Sequence, residues 1–230
     1  MEQIKEKVSA RTGCSVLESK GKDPVRVVLI HGFNGNPRVF KDIKKNLEEL
    51  GAVVETIKYD SSKTFSSWIK SIDRRLSLSS HDPEELYVIG HSLGGSLALY
   101  LSQKYKFKGL ITINSPIYVR KHLLLKMLAK TFRRVKRVKK ITVRNVKYSL
   151  DSVVSLFDFL GEIRKINVDS LSSALIIQSR KDGVVNPKSA RMIYERIQIP
   201  QKQLINVGRG HSPLDQQPVI NAILGFLGLV

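Results

Sequence analysis

Between Tyr87 and Tyr100 a short apolar run halts at Gly90, presents Ser92, and restarts as a helix-forming segment through Ser96, Leu97, Ala98 and Leu99. The spacing Gly90-x-Ser92-x-Gly94 fits a strand that turns sharply into a helix with the serine at the crest. Residues two before and two after the crest must lack side chains if the two backbones are to pass closely. The first amides of such a helix have no partner inside it and face the space above the serine, where a negatively charged oxygen could be held. A pattern of this length also arises by chance, so the neighbouring sequence must supply its meaning.

The neighbouring sequence alternates strand and helix. Val25 to Ile30 is β-branched and nearly continuous in apolar character, as expected of a strand buried on both faces of a mostly parallel sheet. The turn-rich segment His31 to Pro37 follows, then a helical period through Phe40, Ile43, Leu47 and Leu50, closed by Gly51. Ala52 to Ile57 reads as a second strand, and Trp68, Ile69, Ile72 and Leu76 as the face of a second helix. Leu86 to Ile89 feeds the serine turn, Ser96 to Tyr105 forms its helix, and Gly109 to Asn114 is the next strand. After residue 171 the order resumes with a strand at Ala174 to Gln178, a helix at Lys188 to Ile197, a short strand at Gln203 to Val207 and a last helix from Gln217 to Leu227. This alternation predicts an α/β class, a doubly wound parallel sheet whose ligands bind beyond the strand C-terminal ends.

The alternation breaks over residues 117–171, where two helical runs flank a basic stretch. One run holds Leu123, Leu124, Leu125, Met127 and Leu128; the other holds Val153, Leu156, Phe157, Leu160 and Ile163. The segment reads as a helical insertion over the sheet edge, within one domain spanning residues 1–230. Of the formal charge of +19, twelve Lys and Arg residues lie between Arg120 and Lys147, where there is no Asp or Glu, which leaves +7 for the rest. Such a patch can recruit an anionic membrane surface or nucleic acid, or be a solvated face. Aromatic side chains to stack on bases are missing from Arg133 to Lys147, which favours the solvated face. No stretch reaches the roughly eighteen apolar residues of a membrane span. The charged residues at Glu2, Lys5, Glu6 and Lys7 and the single cysteine, Cys14, predict a cytoplasmic protein without disulfides.

A serine hydroxyl becomes a useful nucleophile only when a positioned imidazole takes its proton. Of five histidines, His81 and His122 sit near a turn and in the insertion, His31 ends the first strand, and His91 should leave the turn on another face. His211, in Gly208-Arg209-Gly210-His211-Ser212-Pro213, lies on a loop that can reach the serine. An orienting acid is expected after a strand on the same edge and before that histidine. Asp182 meets this requirement; Asp158 and Asp215 are weaker alternatives. Two convergent backbone donors for the oxyanion would be the amides of Leu93 and Phe33, the latter brought close by Gly32.

Together, His31-Gly32-Phe33, Gly90-His91-Ser92-Leu93-Gly94-Gly95, Ser115-Pro116-Ile117, Asp182-Gly183-Val184-Val185-Asn186-Pro187 and Gly210-His211 resemble the α/β-hydrolase superfamily. Within it the match is to the small carboxylesterases and monoacylglycerol lipases, over roughly residues 25–228. The resemblance implies an α/β-hydrolase fold with a small helical cap. It implies a serine esterase in which Ser92, His211 and Asp182 act on small-molecule esters of short to medium acyl chains, monoacylglycerols included, with no metal or cofactor. Leu123 and Met127 either line an acyl pocket with Phe33 or form the packing face of the cap. The cationic run Arg133 to Lys140 departs from the family's caps. The rival readings are amide or thioester hydrolysis or acyl transfer on the same scaffold, and nucleic-acid or anionic-lipid binding through the basic cap.

Overall fold

The computed structural model describes residues 23–78, 82–119, 140–143 and 146–230. Six parallel strands form one sheet: β1 (Arg26–Ile30), β2 (Val53–Ile57), β3 (Leu86–His91), β4 (Gly109–Ile113), and the two strands after the insertion. Counting the insertion's own hairpin, those two are β7 (Ser173–Ile177) and β8 (Lys202–Ile205). The order across the sheet is β2-β1-β3-β4-β7-β8, with Leu29 of β1 paired to Thr56 on one side and Ile89 on the other. The chain runs outward from β1 to β2, then crosses back to β3 and continues the other way. Direction therefore reverses between β1 and β3, and in open α/β sheets that reversal opens a crevice at the strand C-terminal ends.

Side chains alternate across each strand, and both faces are covered. Val28, Ile30, Val88, Leu110 and Ile176 join one buried cluster; Val27, Leu29, Ile89, Ile111 and Ile177 join another. The second cluster is closed by α1 (Lys41–Glu49), through Ile43 and Leu47, and by the last helix, α6 (Gln217–Phe226), through Val219, Ile220, Ile223 and Leu224. The first is closed by α2 (Phe65–Leu78) with Trp68, Ile72 and Leu76, by α3 (Leu93–Leu101), by α4 (Leu150–Ile163) and by α5 (Lys188–Arg196). Burial on both faces is why the inner strands β1, β3, β4 and β7 lack polar alternation, whereas the edge strands β2 and β8 carry Glu55, Thr56, Lys202 and Gln203. Each fully buried Leu, Ile or Phe contributes about 1.5–3 kcal/mol, so the two clusters fix where the strands end. Helix α1 is preceded by a short 3-10 turn, Pro37–Phe40, capped by the Asn36 side chain, which accepts from Arg38 N at 2.9 Å.

The insertion, expected as two helical runs flanking a basic stretch, also contains a pair of strands. Its second helical run is α4, but Lys140–Val143 (β5) and Val146–Ser149 (β6) pair as an antiparallel two-stranded sheet. The β-branched residues Ile141, Thr142, Val143 and Val146 lose less side-chain freedom in an extended backbone than in a helix. The chain then returns to the sheet through Arg164, whose guanidinium donates to the Ile117 carbonyl at 3.1 Å and lies over the Tyr118 ring. The proposed lining residues Leu123 and Met127, and the cations from residue 120 to residue 139, lie outside the described residues.

Candidate active site

At the end of β3 the backbone makes the turn that the glycine spacing demanded. Ser92 has φ 52° and ψ −128°, a conformation that costs a non-glycine residue about 1–3 kcal/mol and is retained only where its surroundings enforce it. A Cβ on Gly90 would lie 2.2 Å from the Gly95 Cα, and one on Gly94 would lie 2.1 Å from the Ile30 carbonyl oxygen. Helix α3 thus packs directly on β3 and β1, and Ser92 is held above both. Gly95 is also closely packed: a Cβ there would lie 2.0 Å from the Ser115 Oγ and 2.8 Å from the Gly90 carbonyl oxygen.

The structure brings Ser92, His211 and Asp182 together. Ser92 Oγ lies 3.0 Å from His211 Nε2, and His211 Nδ1 lies 3.1 Å from Asp182 Oδ2. A carboxylate only accepts, so His211 carries its proton on Nδ1 and leaves Nε2 to accept from the serine hydroxyl. Asp182 follows Lys181, which sits at φ 58°, and its other oxygen accepts from Val184 N at 2.7 Å and Val185 N at 3.1 Å. Its side chain has no exposure, against 25% for His211. Burial alone would raise the Asp182 carboxyl. The hydrogen bond and charge of His211 and the two amides outweigh it, leaving the group below the ordinary carboxylate range. The weaker alternatives are elsewhere: Asp158 and Asp215 are both exposed.

The two expected oxyanion donors belong to residues at the start of α3 and in the loop after β1. Leu93 opens α3, so its amide has no acceptor within the helix and lies at the positive end of the helix dipole. Gly32 packs so closely that a Cβ would lie 2.9 Å from Ser92 Cβ, which brings the following residue, Phe33, alongside. Hydrogen bonds tie the loop down. Gly35 N donates to Gly32 O at 2.9 Å, and Asn34 N donates to Ser61 Oγ at 2.7 Å. His31 is buried within it, donating from Nδ1 to Gly32 O at 2.8 Å and stacked on Tyr59 with 4.5 Å between ring centroids. Burial lowers its pKa, so it is a neutral loop brace. Phe33 meets Trp68 edge-on at 5.7 Å.

Sequence reasoning missed the groups that hold the base loop. His91, expected to turn away, does leave the serine, but it reaches the backbone of His211: Nε2 lies 2.9 Å from the His211 carbonyl oxygen. Asn114, in the left-handed region at φ 49°, donates from Nδ2 to the same oxygen at 2.8 Å and to Gly210 O at 3.1 Å. Ser179 Oγ also donates to Gly210 O, and Ser179 N donates to Asn114 Oδ1 at 2.7 Å. A polar residue ending an apolar strand, as Asn114 does, was the available signal. The loops of the acid and the base are joined by Arg180 N to Gly208 O at 2.9 Å and Gly210 N to Arg180 O at 3.0 Å.

His81 and His122 lie outside the described residues. Among the described residues, no group of three or more His, Cys, Asp or Glu could hold a metal ion, and no helix is long and apolar enough to cross a membrane. The arrangement can activate the Ser92 hydroxyl through His211, which is the chemistry of a nucleophilic serine.

The chain is similar to several known proteins. A carboxylesterase of Bacillus subtilis (strain 168) is 25% identical over 205 residues, 80% of this chain and 82% of that protein. A thermostable monoacylglycerol lipase of Bacillus sp. (strain H-257) is 25% identical over 225 residues, 88% of this chain and 90% of that protein. The crystal structure of the Paleococcus ferrophilus monoacylglycerol lipase matches with a TM-score of 0.71 at 18% identity, over 89% of this chain and 95% of that one. These likenesses and the parallel sheet establish the α/β-hydrolase fold. Since one family model matches residues 26–228, from the first residue of β1 to just past α6, the chain belongs to the uncharacterised protein family UPF0227.

Proposed function

We propose that the protein is a serine esterase that hydrolyses carboxylic esters of short to medium acyl chains, monoacylglycerols among them, through an acyl-enzyme. The observation that carries this reading is the unbroken line of hydrogen bonds from Ser92 Oγ through His211 to the enclosed Asp182 carboxylate, at 3.0 and 3.1 Å. The names of the two bacillary relatives favour the same substrate class.

In this reading Ser92 Oγ attacks the ester carbonyl as its proton passes to His211 Nε2, and Asp182 stabilises the imidazolium that results. The carbonyl oxygen gains negative charge and is held by the amides of Phe33 and Leu93, where fixed donors need no reorganisation. The ester C–O bond breaks as His211 returns the proton to the departing alcohol. Water then gives a proton to His211 and attacks the acyl carbon, and the carboxylic acid leaves as Ser92 regains its hydrogen. Scaffold and relay do not determine the leaving group, so thioesters and amides belong in the substrate panel. The single cysteine favours a reducing, cytoplasmic setting.

The test is hydrolysis of p-nitrophenyl esters from acetate to laurate, with labelling by a fluorophosphonate. Ser92→Ala is expected to abolish labelling and to lower kcat by at least about 10⁴-fold. An unchanged rate in that variant overturns the reading.

A further inference from the structure

We propose that His91 is a positioning residue for the base: its imidazole ties the backbone of His211 to the residue bonded to Ser92, and so fixes the span across which the proton passes. The inference rests on the serine-hydrolase reading above. His91 and Ser92 are consecutive, and each directs its side chain to the same residue. Ser92 Oγ meets His211 Nε2 at 3.0 Å, and His91 Nε2 meets the His211 carbonyl oxygen at 2.9 Å. Two hydrogen bonds from one dipeptide to one residue close a ring. The His211 backbone therefore cannot withdraw from Ser92 without also breaking its bond to His91.

The base loop needs such an external hold. Gly208 and Gly210 sit at φ 75° and 78°, and glycines in that region give a loop little stiffness of its own. The carbonyl of His211 has two lone pairs, and it receives two donors, His91 Nε2 and Asn114 Nδ2 at 2.8 Å. Asn114 is fixed in turn by Ser179 at the end of β7, so the carbonyl is gripped from β3 and from β4. A carbonyl oxygen only accepts, which requires His91 to carry its proton on Nε2. The rings of His91 and His211 lie 5.2 Å apart, and burial holds His91 neutral, so it does not oppose the positive charge that His211 acquires.

The experiment compares full-length wild type with His91→Gln, which keeps a donor, and His91→Met, which keeps similar bulk without one. Thermal melts, pH profiles of kcat and KM on a p-nitrophenyl ester, and the rate of Ser92 phosphonylation by a fluorophosphonate are measured for each. His91→Met is expected to lower kcat and the labelling rate about 10- to 100-fold with KM within twofold, and to displace the acid limb of the pH profile. His91→Gln is expected to stay within about threefold of wild type. Equal rates in the two variants with an unchanged acid limb overturn the proposal. A second measurement needs no variant: a long-range ¹H–¹⁵N spectrum of the wild-type imidazoles, with His91 assigned through the backbone. It should show the Nε2–H tautomer, and the Nδ1–H tautomer overturns the proposal. Absence of Ser92 labelling in the wild type would overturn the serine-hydrolase reading beneath it.

Discussion

Replacing Asp182 by asparagine strikes the relay at its most enclosed link. Oδ1 accepts from two amides, Val184 N at 2.7 Å and Val185 N at 3.1 Å, while Oδ2 faces His211 Nδ1 at 3.1 Å. In Asp182→Asn the side-chain nitrogen cannot face two N–H donors at those distances, so the oxygen keeps the amides and the NH₂ turns to His211. The imidazole must then accept at Nδ1, which moves its proton to Nε2, opposite Ser92 Oγ. A base already protonated on the side of the serine cannot take the hydroxyl proton. With no side-chain exposure at Asp182, water cannot take the place of the lost acceptor opposite Nδ1. The expected loss is about 10⁴-fold in kcat, or ~5.5 kcal/mol of transition-state stabilisation, with KM little changed. Because the two amide bonds survive, unfolding should cost only about 1–2 kcal/mol less, a fall in Tm of under about 8 °C. Single-turnover hydrolysis of a p-nitrophenyl ester, with a melt of the same sample, measures both quantities. A folded Asp182→Asn variant with kcat within tenfold of wild type would refute this reasoning.

Gly94→Ala should destabilise by at least about 3 kcal/mol, because its Cβ would sit 2.1 Å from the Ile30 carbonyl oxygen and both elements are core backbone. That corresponds to a Tm lower by roughly 6–12 °C, and a variant within 2 °C of wild type contradicts the packing of α3 on β1. Acid should weaken the fold with a known sign. Burial pushes His91 down to about 4 from its ordinary 6.5, so the unfolded chain binds that proton first. The stabilisation is complete above pH 6.5 and is lost as pH falls toward 4, by roughly 2–3 kcal/mol at pH 4.5. His31, also lowered by burial, and Asp182, held low despite its burial, act in the same direction, the latter at lower pH. Urea unfolding at pH 7.5 and 4.5 should show a smaller acid loss in His91→Gln than in wild type, and equal losses would refute the burial account.

The order of strands and helices was written locally, because burial on two faces makes a parallel strand continuously apolar and a helix repeats its apolar residues every three or four positions. Val27 to Ile30 and the period Ile43, Leu47 carry that information without any partner. So do Gly90 and Gly94, whose spacing reports a close backbone approach that no side chain could permit. Ser92, His211 and Asp182 could be named as candidates because chain order and strand ends confine where such groups can sit. The hairpin of the insertion escaped notice because a basic run hid two β-branched segments too short to outweigh their surroundings.

Only the tertiary structure could decide which polar groups serve one another across long stretches of chain. Nothing near His91 in sequence indicates that its imidazole meets a carbonyl 120 residues away, nor that Asn114 reaches the same atom from β4. Those bonds depend on strands β3, β4 and β7 ending side by side, a consequence of sheet order and register rather than of local propensity. Sequence by itself determined the alternation of elements and the chemistry that could stand on the strand ends. The packed sheet determined the distances, because hydrogen bonds of this kind exist only where burial and backbone register set two remote groups within about 3 Å.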